Sequence, residues 1–160
     1  MNAKWRIAIA KVEIVGGMVG VISAFFLAIW LLWTQKNEDI TQIDMGLMSI
    51  SLISMVLFLF SLIAGFLLRK EHRLGYPLTV IVQALQIPVI SSADVTYSFV
   101  SGLQLGLGIG AMKANFLFYI GGLVDIGLSQ DDPFFIGINI IPILFLWKLY
   151  KEKNMEIVSG

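Results

Sequence analysis

The sequence predicts an all-α integral membrane four-helix bundle with an extracytoplasmic β-hairpin between the third and fourth helices. Three observations predict it: an apolar surplus too large for a soluble globule, apolar runs of bilayer-spanning length, and Lys and Arg gathered on alternate connections. Of the 160 residues 58% are hydrophobic and only 14% charged, against about 25% charged in an ordinary soluble domain. So few charges cannot coat a globule, and lipid is the natural recipient of the excess apolar surface. Net charge is zero, which implies no general attraction to nucleic acid. With no Cys, disulfides, thiolate zinc sites and cysteine nucleophiles are excluded, and an exterior structure without covalent staples points to a bacterial inner membrane.

The first span is expected over residues 12–33, after Lys4, Arg6 and Lys11. A run of about 20 apolar residues crosses the hydrocarbon core, whereas the apolar part of a signal peptide is about 7–15 residues long. Trp30 and Trp33 at its far end read as interfacial anchors. Glu13 falls one turn inside it, and the expected partner is Lys11 or the basic cluster at 69–73. The second span, 46–68, is stopped by Arg69, Lys70, Glu71, His72 and Arg73. The third is expected over 75–92, ending at Asp94. The fourth, 133–150, opens on Asp131, Asp132 and Pro133, a cap-and-proline helix start, and closes on Lys148, Lys151 and Lys153. Basic residues flank the first span's start, the second-to-third connection and the fourth span's end. The other connections are acidic, with Glu38, Asp39, Asp44, Asp94, Asp125, Asp131 and Asp132. The positive-inside rule then puts both termini in the cytoplasm of a multi-pass plasma-membrane protein.

Residues 95–130 are too long for a structureless loop. Tyr97, Phe99, Leu103, Leu105, Leu107 and Ile109 fall on alternate positions, as do Phe116, Phe118, Ile120, Val124 and Ile126. Period two is the strand signature, so a hairpin on the outer face, packed on the helix ends, is expected. A competing reading takes Gly102, Gly106 and Gly110, four apart, as a glycine-zipper helix face, with re-entrant membrane segments in place of strands.

Polar residues inside the spans are the candidate functional groups. Thr79, Gln83 and Gln86 lie on one helical stripe, and Gln83 and Asn139 both fall about 14 Å from the inner basic residues at 1.5 Å per residue. Asn139 is expected to meet Gln83 or Gln86, either as interhelical glue or as a polar site for an ion, solute or headgroup. Pro88 and Pro142 are expected to break the third and fourth helices beside this cluster, as at transporter sites, or to be ordinary kinks. Ser51, Ser54, Ser61 and Gly65, with Gly16 and Gly20, read as small-residue packing seams. The single His72 sits in a cytoplasmic loop, away from these serines, so no Ser-His pair is expected. The outer carboxylates lack a metal-loop spacing, and no cofactor fingerprint is present.

The expected role is a non-enzymatic interaction or assembly protein without a cofactor or metal. Its partners would be the bilayer and a second copy, or a membrane protein, reached through the 95–130 region. The alternative is an oligomeric channel or transporter component using the midplane Gln and Asn residues.

Overall fold

A computed structural model describes residues 3–35, 42–92, 96–110, 113–127 and 134–159. Two long antiparallel helices form its frame: α1, Ala3–Gln35, and α2, Gln42–Arg69. At about 1.5 Å per residue they measure about 50 Å and 42 Å. Small residues set their approach. A Cβ at Gly17 would lie 2.8 Å from the backbone N of Leu62, and one at Gly65 2.9 Å from the carbonyl of Ala10. Farther along, Ser51 Oγ donates to the Ala24 carbonyl at 2.9 Å.

α2 ends in a Schellman turn. The N–H of His72 reaches the Leu67 carbonyl and that of Glu71 the Leu68 carbonyl. Glu71 occupies the left-handed position (φ 57°) where glycine is usual. Its carboxylate is bonded to the Arg6 guanidinium on α1, so the side chain ties the two helix ends together.

The expected all-α four-helix bundle is corrected here: among the described residues four helices are joined by a four-stranded antiparallel sheet, and only α1 and α2 are long and apolar enough to cross a membrane. The third expected span stops early. α3, Gly75–Leu85, covers 11 residues, about 16 Å. Pro88 does not kink it; Pro88 opens strand β1, Pro88–Ser91. The physical reason is local: proline cannot supply the helical N–H but is tolerated as the first residue of a strand, and Ile87, Val89 and Ile90 favour extended backbone. The fourth span also starts as strand. β4 is Phe135–Asn139, and α4, Ile140–Ser159, follows directly. Pro142 therefore sits in the first turn of α4, where it interrupts no helical bond. The expected helix start at Asp131, Asp132 and Pro133 lies outside the described residues, as does Asp94.

Between β1 and β4 runs the hairpin that the alternation signalled. β2, Thr96–Gly110, and β3, Lys113–Gly127, pair along their full 15 residues. The sheet order is β1-β4-β2-β3. β1 also pairs with the start of β2, while β4 pairs with its end. The hairpin is not merely perched on helix ends; it docks against the flank of α1. A Cβ at Gly16 would run into the backbone of Ser101 and Gly102, and one at Gly122 into the backbone of Gly20. Gly102 (φ 110°) and Gly121 (φ 134°) face each other in the ladder at this crossing, a conformation that side chains other than glycine resist. Gly16 thus belongs to a helix-to-sheet seam, Gly20 admits both Gly122 of β3 and the Phe58 ring of α2, and Gly65 and Ser51 serve helix to helix.

Candidate functional site

Where α1, α2, α3 and the sheet meet lies a buried polar core. Glu13, Ser61, Thr79, Gln83, Gln86, Ser101 and Asn139 are each at most 2% exposed. Thr79 Oγ1 donates to Glu13 Oε2 at 2.9 Å and Gln83 Nε2 to Glu13 Oε1 at 3.0 Å. The helical stripe of Thr79 and Gln83 therefore faces α1, and its partner is Glu13. The expected ion pair of Glu13 with Lys11 or the 69–73 cluster is replaced by these two neutral donors. Ser61 shares a 2.7 Å hydrogen bond with Ser101 on β2. Ser54 turns back to its own helix, donating to the Ile50 carbonyl at 2.7 Å.

Gln86 and Asn139 do something the sequence did not suggest. One edge of β2 is covered by β1 at residues 96–98 and by β4 at 106–110, which leaves a gap. Gln86 Oε1 accepts the Ser101 N–H at 2.9 Å, and Asn139 Oδ1 accepts the Leu105 N–H at 3.2 Å. Two side-chain amides thus stand in for missing strand carbonyls. Buried backbone donors demand such partners. Asn139 Oδ1 also accepts the Ile141 N–H at 3.3 Å, which makes it the N-cap of α4. The expected meeting of Asn139 with Gln83 or Gln86 gives way to these backbone contacts. The signal for the cap was in the sequence: Asn three residues before Pro142. Ser101, by contrast, was hidden by an alternation read only for its apolar members.

The hairpin's two halves differ. Near Gly102 both faces are covered, and Phe99 packs on Phe58 with ring centroids 5.6 Å apart. Beyond it one face is wholly apolar and uncovered. Leu107, Phe116, Phe118, Ile120, Ile136 and Ile138 are each 50–68% exposed. The opposite face is a trough of Gly106, Gly108, Gly110 and Gly137, with the Phe135 ring lying over Gly108. β3 forms the outer edge of the sheet. From 114 to 124 it carries no charge and no proline, the two devices that commonly protect an edge. Among the described residues no group of three or more His, Asp or Glu side chains could hold a metal ion. No family model matches the chain, and no curated protein and no solved structure is significantly similar to it.

Proposed function

We propose that this chain is an integral plasma-membrane protein that works by assembly, its copies joined edge to edge through β3. α1 and α2 would form the transmembrane hairpin. Only 28% and 33% of their apolar windows are buried within the chain, whereas a core helix of a soluble protein is mostly covered. The basic ends converge: Lys148 lies 4.9 Å from the Trp5 ring, and Leu149 packs with Ile9 and Leu68. This supports placing the start of α1, the α2–α3 turn and the end of α4 together on the cytoplasmic face. α3 and α4 then cover the inner leaflet, and the sheet stands where their outer halves would be. Asn139, nine residues from Lys148, comes about 14 Å deep.

The edge of β3 carries this reading. An open strand edge is not tolerated against hydrocarbon, because each unpaired backbone group costs several kcal/mol. A second β3 running antiparallel would satisfy the edge and extend the apolar face into a continuous surface. The chain lacks Cys, so single cysteines report directly. In native membranes, Leu117→Cys and Tyr119→Cys should give cross-linked dimers, while Val56→Cys, on an exposed flank of α2, should not. Monomers at every β3 position would remove the proposal.

A second reading, passage of protons or small cations through such an oligomer, is favoured by Glu13, a carboxyl group enclosed by neutral donors inside a helix. On that reading Glu13→Gln and Gln83→Leu abolish flux in vesicles reconstituted with the full chain, and unchanged flux dismisses it.

A further inference from the structure

A cavity of about 790 Å³ opens where the basic ends of the helices converge. Its polar lining is Arg6, Glu71, His72, Arg73 and Tyr76, and its apolar wall includes Val80 and Ile81 of α3. Arg6 is the notable member. Its side chain is 15% exposed, and its Nη2 is bonded to Glu71, itself 64% exposed. Its Nε–H is buried without an acceptor among the described residues. A guanidinium carries five donors and Glu71 is bonded at Nη2, so Arg6, which lines the cavity, still has donors to offer an anionic oxygen there. The turn that presents Glu71 to Arg6 is fixed by the Schellman bonds and by His72 Nδ1 accepting the Leu74 N–H at 3.3 Å.

From this we infer that the cavity binds the phosphate diester headgroup of an anionic lipid, with an acyl chain along Val80 and Ile81. Arginine matches phosphate oxygens in a fork, and Arg73 adds a second cation at the rim. Cation and apolar wall occur together where a headgroup meets its chain, which a free phosphate does not need. Glu71 competes for Arg6 and so sets the affinity. The left-handed backbone of Glu71 brings its carboxylate to Arg6.

The inference rests on the membrane reading. Alkaline carbonate extraction tests that reading separately: a chain released from membranes fails it before lipid enters. For the retained, purified full chain in neutral detergent, native mass spectrometry would be run with phosphatidylglycerol, phosphatidylcholine and inorganic phosphate. Phosphatidylglycerol should bind roughly tenfold more tightly than phosphatidylcholine: both carry the phosphate diester, but the choline cation of the second is repelled by Arg6 and Arg73. Arg6→Gln should remove that preference, and Glu71→Gln should raise phosphatidylglycerol affinity. Misfolding cannot produce two shifts of opposite sign. Equal binding of both lipids, or a wild-type preference retained by Arg6→Gln, would overturn the assignment. Displacement of the lipid by millimolar inorganic phosphate would overturn it in favour of a free-phosphate site.

Discussion

The helical end of the molecule and its sheet end solve the same problem differently. Both must satisfy the backbone N–H and C=O groups that they bury. At the helical end each bond closes four residues away, so α1 and α2 need only length, small residues at Gly17 and Gly65, and basic flanks. At the sheet end the partners are distant in sequence. β2 is covered by three different strands, and where they leave a gap, Gln86 and Asn139 close it. The difference assigns a structural task to the buried polar residues Gln86 and Asn139: they seal the joint between two kinds of backbone bonding.

The largest effect expected from breaking this arrangement is at the helix-to-sheet seam. Gly16→Val would drive its side chain into the Ser101–Gly102 backbone. Overpacking against backbone costs at least about 1–3 kcal/mol, so the variant should lose most of its folded fraction in a thermal melt by tryptophan fluorescence. Gly46→Val, where nothing lies within 4 Å, should leave the melt unchanged. Next comes Glu13→Ala, which orphans the donors of Thr79 and Gln83 at about 1–3 kcal/mol each. Glu13→Gln keeps an acceptor and should be tolerated much better. Equal loss in both variants would mean that a charge, rather than the hydrogen bonds, holds the site.

A smaller effect is expected where the sheet is patched. Asn139→Ala frees the Leu105 and Ile141 N–H groups, and the helix cap alone is worth about 1 kcal/mol. Hydrogen exchange at Leu105 should quicken while exchange along the middle of α2 stays the same. If both quicken equally, the sheet is not a separate joint. Smallest is Ser51→Ala, which removes one interhelical bond at the helical end, worth about 0.6 kcal/mol in a membrane. It should shift the melt only slightly.

The same contrast explains what could be read in the sequence. The long apolar helices α1 and α2 were legible because apolar length and flanking charge are local properties. The hairpin was legible from alternation in Phe99 to Ile109 and Phe116 to Ile126. Residues 75–92 and 133–150 were misread as uniform helices because short apolar runs look alike as helix or buried strand. Ile87-Pro88-Val89-Ile90 and the Gly137 to Pro142 stretch held the correction. Of the candidate site, the stripe of Thr79 and Gln83 was legible, since a polar stripe must face inward. Its partner was not, because pairing Glu13 with a cation is the usual arrangement, and which side chain meets it depends on how α3 leans on α1. The amide patches were illegible in principle: a gap in a strand ladder exists only once the strands are placed.

The central claim is that the apolar distal half of the sheet lies within the bilayer rather than above it. A nitroxide attached at Phe118→Cys in reconstituted full-length protein tests this most directly, through its collisions with a water-soluble nickel chelate. The placement predicts that the chelate cannot reach the label, because lipid covers that face of the sheet. Free access, as high as at a solvated loop, would contradict it.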